Sequence, residues 1–151
     1  MPGYKAHLYG TAFITLLLLG ALFWFNLYVT NLLMSLFLLG IAILGGLFPD
    51  VDTDSKGQNI FYGAMVIIGL VLILKKEYQA ASILGCCAML PALGHHRGWT
   101  HTLWGMVVVP MPIIILPIIF YHSPWKALVP FYLAAVFGYF THLLLDWKFK
   151  L

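Results

Sequence analysis

Histidine and carboxylate side chains that could bind a metal recur near segment ends in this sequence of 151 residues. HLLLD places His142 and Asp146 four residues apart, which on a helix puts both side chains on one face. Histidine nitrogen and aspartate oxygen are ligands that zinc accepts in proteins. This pair therefore predicts a metal site or a proton relay.

The stretch PDVDTD supplies three more carboxylates, on Asp50, Asp52 and Asp54. The alternation begins like a calcium-binding EF-hand loop, but Ser55 stands where that loop needs glycine and Phe61 where it needs glutamate. We therefore reject an EF-hand. Asp50 directly follows a proline at the end of an apolar run and is the strongest ligand candidate, whereas the other two also suit a solvated turn.

The stretch GHHRGWTH, from Gly94 to His101, adds three histidines and an arginine. Its second glycine permits a turn, so that His96 and His101 can converge. Thr100 is a reasonable N-cap, which would place His101 in the first turn of the next helix. The planar fork of Arg97 suits a phosphate or a carboxylate.

These polar residues lie in an apolar chain, with 62% hydrophobic and 9% charged residues and a mean hydropathy of +0.95. That composition indicates a membrane protein. The chain has no basic run, so its pI of about 8.9 does not favour nucleic acid as a partner. We expect residues 1–151 to form one integral membrane domain.

The hydropathy pattern predicts an all-α bundle of about six transmembrane segments with short loops, and its first run is expected to be a retained helix. The alternative is four crossings and a partial hairpin, because the third and fourth segments are short. The prolines of the fifth segment predict a kink. The six segments cover residues 8–27, 32–48, 60–74, 78–93, 102–121 and 127–145.

Alternating crossings place most chemistry-bearing residues on one face of the membrane. That face receives four of the five acidic residues and five of the six histidines. Buried or interfacial polar clusters in membrane segments are usually functional. Lysine and arginine number five on this face and three on the other, which predicts that it is cytoplasmic. The clustered residues are His7, Asp50, Asp52, Asp54, His95, His96, Arg97, His101, His142 and Asp146.

The chain resembles the YdjM-like family in the order of four features: His7, FPDVD, HRGWTH and HLLLD. These are small inner-membrane proteins of bacteria and archaea, described as metal-dependent hydrolases and regulated by LexA in some bacteria. The resemblance spans nearly the whole chain and implies a hydrolase of the inner membrane.

The order of ligands is also similar, more distantly, to that of zinc-dependent phospholipase C and single-strand nuclease enzymes. This similarity implies that Asp50, His101 and His142 hold one metal. It also implies that Asp146 bridges to a second metal, to which His7 contributes.

From these features we expect a divalent metal, zinc above magnesium or manganese, as one or two ions. The substrate would be an amphiphilic phosphoester such as a membrane lipid. Asp52 would act as a base, Arg97 would bind a phosphate oxygen, and His96 is a further candidate. Two alternatives remain: a transporter of protons or metal ions, and a membrane scaffold with a structural metal.

Overall fold

The structure is a computed structural model that describes residues 3–51, 55–89 and 99–146. Within these ranges its helices are joined by turns and there is no strand, which confirms the predicted helical membrane bundle. Two short 3-10 turns, Phe48–Asp50 and Trp99–His101, interrupt the α-helices. The α-helices are α1 (Tyr4–Trp24), α2 (Leu32–Leu47), α3 (Lys56–Leu74), α4 (Tyr78–Met89), α5 (Leu103–Val108), α6 (Pro112–Tyr121) and α7 (Trp125–Leu145).

Five stretches are long and apolar enough to cross a membrane: α1, α2 with its turn, α3, α5 with α6, and α7. The third predicted segment is longer than expected, because its helix begins at Lys56 and includes 19 residues. Of the fourth, the structure describes a 12-residue helix, which spans about 18 Å at 1.5 Å per residue. Its continuation lies outside the described residues.

The predicted kink in the fifth segment is present, since α5 ends at Val108 and α6 begins at Pro112. The predicted N-cap of this segment, Thr100, is wrong by two residues. Thr102 is the cap, because its hydroxyl accepts the backbone N–H of Gly105 at 3.0 Å. His101 consequently precedes the helix.

The most extensive packing joins α2 to α7. Their backbones approach so closely that a Cβ at Gly138 would lie 1.8 Å from the carbonyl oxygen of Ala42. One turn away, a Cβ at Gly45 would lie 2.4 Å from the carbonyl oxygen of Ala135. Small residues permit such approach between membrane helices. This contact fixes the C-terminal end of α7 beside the end of α2.

The helices alternate in direction and give the bundle two ends. We call the end with His7, Asp50, His101 and Asp146 the site face. The opposite end, with Trp24, Leu74, Tyr121 and Trp125, is the far face. On the far face the Tyr121 hydroxyl donates to Glu77 at 3.2 Å. Lys76 and His122 follow helix ends there with left-handed φ angles of 65° and 51°.

Candidate metal centre

Four separate segments deliver histidine and aspartate side chains to one point of the site face. His7 comes from the first turn of α1, and Asp50 ends the 3-10 turn after α2. His101 ends the turn before α5, and His142 and Asp146 come from the end of α7. The predicted i, i+4 pair therefore shares one helix face as expected.

Four of these residues form a compact group of possible metal ligands. One ligand atom from each of Asp50, His101, His142 and Asp146 lies within 4.8 Å of all the others. His101 Nε2 is 3.4 Å from Asp50 Oδ1 and 3.7 Å from Asp146 Oδ2. His142 Nε2 is 3.6 Å from Asp50 Oδ1 and 3.7 Å from Asp146 Oδ2. These four residues could hold a metal ion.

His7 approaches the other oxygen of each carboxylate. Its Nε2 is 3.3 Å from Asp146 Oδ1 and 3.9 Å from Asp50 Oδ2. Its ring stacks on that of His142, with centroids 4.0 Å apart. Each carboxylate thus turns one oxygen toward His7 and its other oxygen toward His101 and His142.

Of the five cluster residues, only Asp50 has a substantially exposed side chain. The side chain of His142 is fully buried, that of His7 is 1% exposed and that of Asp146 is 6% exposed. Asp50, at 31%, is the most exposed member. A molecule that reaches the cluster would therefore approach beside Asp50.

The hydrogen bond of His142 determines which ring nitrogen faces the carboxylates. Nδ1 lies 2.7 Å from the carbonyl oxygen of Gly46, which can only accept, so Nδ1 carries the proton. The buried Nε2 has no hydrogen-bond partner within the described structure. In the neutral ring its lone pair points toward two carboxylates, an unfavourable arrangement unless a cation lies between them. The residues therefore fit a divalent cation, and the Gly46 contact is the second hydrogen bond that metal-bound histidines usually make.

A second contact holds the segment that carries His101. The buried Tyr139 hydroxyl donates to the carbonyl oxygen of Thr100, and the Thr100 hydroxyl lies 3.3 Å from His101 Nδ1. Gly105 makes room for this arrangement, because a Cβ there would lie 2.6 Å from the Trp99 carbonyl oxygen. One face of α7 thus carries His142 and Asp146 of the cluster. It also carries Tyr139, which positions the segment of His101.

Buried threonines continue from the cluster into the bundle. Thr11 and Thr141 hydroxyls are 2.7 Å apart, and Thr141 donates to the Gly138 carbonyl at the same distance. Sequence reasoning missed these residues and Tyr139. The i, i+4 spacing of His7, Thr11 and Thr15 was an available signal, since all three share the buried stripe of α1.

The structure brings together all five residues predicted from sequence as metal ligands, namely His7, Asp50, His101, His142 and Asp146. The predicted catalytic residues Asp52, His96 and Arg97 lie outside the described residues, as do Asp54 and His95. His122 lies on the far face, as predicted.

An apolar bundle with several membrane-length helices and a buried His/Asp cluster at one end defines a polytopic membrane protein with a possible metal site. The chain belongs to the YdjM inner membrane protein family, whose model matches residues 8–150. The predicted family resemblance is therefore confirmed, and four of the five cluster residues fall within the match. Comparison with curated proteins finds no match, and neither does comparison with solved structures. The similarity in ligand order to phospholipase C and nuclease enzymes stays a prediction.

Proposed function

We propose that this protein is a membrane-embedded metal-dependent hydrolase that cleaves a phosphoester bond in a lipid or another amphiphilic substrate. One observation carries the proposal: the buried Nε2 of His142, without a hydrogen-bond partner in the described structure, faces two carboxylates. Membership of the YdjM family agrees with this placement in the inner membrane. The excess of basic residues on the site face favours a cytoplasmic cluster.

The chemistry of the ligand atoms favours zinc. Zinc accepts histidine nitrogen together with aspartate oxygen, whereas magnesium and calcium take oxygen ligands. His101 and His142 supply two of the four possible ligand atoms of the compact group.

The division of the carboxylate oxygens supports a second ion. Asp50 and Asp146 each turn one oxygen to the His101 and His142 side and the other to His7. Asp50, Asp146 and His7 would then hold a second divalent ion, which in two-metal hydrolases adds electrostatic stabilisation of the ester oxygens.

The residues of the chain have distinct roles in this proposal. A zinc ion held there would supply Lewis acidity, which lowers the pKa of a coordinated water toward about 7. The Gly46 carbonyl keeps the His142 proton on Nδ1, so Nε2 remains available as a ligand. The partial exposure of Asp50 leaves an approach for a phosphoester from the membrane interface. From the sequence, Arg97 would bind a phosphate oxygen and Asp52 would accept a proton, with His96 as a further contributor.

The test combines metal analysis with hydrolysis by the purified full-length protein. We expect bound zinc after gentle purification, and release of phosphate or alcohol from a panel of lipid and nucleotide phosphoesters. His142→Ala should abolish hydrolysis and lower metal content. His122→Asn is the matched control, because His122 lies on the far face and asparagine tolerates its left-handed φ.

The outcomes separate the proposal from its alternatives. A wild-type protein with no bound metal would refute the metal centre. Stoichiometric zinc without hydrolysis of any ester in the panel would favour a structural-metal scaffold. Metal-dependent ion flux in vesicles, again without hydrolysis, would favour a transporter.

A further inference from the structure

A groove separates α1 from α7 and extends from the far face to the level of Phe140, along most of the length of α7. At the site face the two helices touch, since a Cβ at Gly10 would lie 2.8 Å from the Leu145 side chain. Further along, a groove of about 600 Å³ lies between them, with Leu38 of α2 among its lining residues. Ligand pockets usually measure about 300–1,000 Å³, so the groove can hold a small amphiphile or a hydrocarbon chain.

Polar residues of the lining lie at the two ends of the groove. Lys126 lies in the first turn of α7, and Tyr28 lies in the chain connection after α1, so both belong to the far face. Thr15 marks the inner end, and its buried hydroxyl has no hydrogen-bond partner in the described structure. A change of rotamer can turn this hydroxyl to a backbone carbonyl one turn earlier, so it does not demand a polar ligand. The groove therefore has an apolar body and a cationic mouth.

The groove does not continue into the histidine–aspartate cluster. The hydrogen bond between Thr11 and Thr141 lies between them, and a Cβ at Gly46 would lie 2.6 Å from the Thr11 hydroxyl. A molecule in the groove would consequently be separate from a substrate at the cluster. Its polar end would face the opposite side of the membrane.

We propose that this groove binds one acyl chain of an anionic phospholipid from the leaflet opposite the metal cluster, with Lys126 contacting the lipid phosphate. The stretch of α7 that lines the groove, from Lys126 to Phe140, rises about 21 Å. One leaflet contributes about half of the 30 Å hydrocarbon core, so a chain that enters from the far face would occupy about 15 Å of this length. A lysine at the interface attracts an anionic headgroup and distinguishes it from a zwitterionic one.

The first experiment compares headgroups on the purified full-length protein in detergent. Phosphatidylglycerol and phosphatidylcholine with identical chains are added, and native mass spectrometry measures the lipid retained. Retention of phosphatidylglycerol should exceed that of phosphatidylcholine about fivefold, the scale for one basic side chain near a membrane surface. Lys126→Gln should remove the preference. Lys75→Gln, on the same face but not lining the groove, should keep it.

The second experiment fills the groove. Ala134 lines it on α7, and Ala134→Phe should abolish retention of the lipid chain. Ile67→Phe, at an exposed position of α3, is the matched control. Cooperative thermal unfolding of each variant shows that it is folded.

Three results would overturn the proposal. If the wild type retains both lipids equally, Lys126 does not select an anionic headgroup. Undiminished lipid retention by folded Ala134→Phe would place the lipid elsewhere. A dimer that dissociates in Ala134→Phe would assign the groove to a second copy of this chain.

Discussion

The two ends of this bundle use the same helices in opposite ways. At the site face, α1, α2 and α7 meet through small residues and threonines, and buried polar side chains lie there beside buried apolar ones such as Leu47 and Leu143. Toward the far face the same helices leave a groove with apolar walls. The difference shows that close backbone packing is concentrated where ligand atoms from several segments must be held near one another.

The largest effect is expected from a substitution that separates α2 from α7. Gly138→Ala would place a Cβ 1.8 Å from the Ala42 carbonyl oxygen, so the helices must move apart. We expect a loss of more than about 3 kcal/mol in the free energy of unfolding, together with loss of bound metal. Thermal unfolding in detergent and metal analysis measure both effects.

Gly69→Ala on α3 is the control, because a Cβ there meets no atom within 4 Å. Its stability should equal or slightly exceed that of the wild type, since alanine favours the helix. Equal stability of the two variants would contradict the importance of the α2–α7 contact.

A smaller change tests how the site face positions His101. Tyr139→Phe removes the hydroxyl that donates to the Thr100 carbonyl while it retains the ring. We expect metal affinity to fall about 10-fold to 100-fold, the usual effect of removing an outer-shell partner. Competition with a chromophoric chelator measures this affinity.

The same helix offers a matched control. The Tyr132 hydroxyl donates to the Val107 carbonyl at 3.0 Å, which joins α7 to α5 away from the cluster. Tyr132→Phe should change stability and leave metal affinity unaltered. If both variants lose metal affinity equally, the effect of Tyr139 is one of general packing.

The smallest effects on stability should come from Thr11 and Thr15, which follow His7 along the buried stripe of α1. Thr11→Val removes a hydroxyl bonded to Thr141 and should cost about 0.6 kcal/mol, the average for such bonds within membranes. Thr15→Val removes a hydroxyl without a described partner and should cost nothing measurable. Chemical denaturation of both variants makes the comparison, and a larger loss for Thr15→Val would show that its hydroxyl has a partner.

The alternation of apolar segments was sufficient to predict that distant residues share one face. His7 and Asp146 are near opposite ends of the chain, yet six predicted crossings, or four with a partial hairpin, place both on the same side. The distances agree with that placement: His101 lies 3.4 Å from Asp50, so the turns that precede α3 and α5 lie at the same end of the bundle.

Other features of the centre could not be predicted, because they depend on how each helix is rotated about its axis. The bond from His142 to the Gly46 carbonyl joins residues 96 positions apart, and a backbone acceptor has no signature in sequence. The division of carboxylate oxygens between His7 and the other histidines depends likewise on side-chain rotation. The N-cap was misplaced because Thr100 and Thr102 are equally good caps by residue type, and only the local turn distinguishes them.

The left-handed residues at Lys76 and His122 offer an engineering opportunity. Side chains with a Cβ are strained there by about 1 kcal/mol each, and glycine would relieve that strain. Both positions lie at the end of the molecule away from the histidine–aspartate cluster. Glycine variants with greater stability at these two turns could serve crystallisation or drug-screening work. They would retain all the candidate metal ligands of the natural chain.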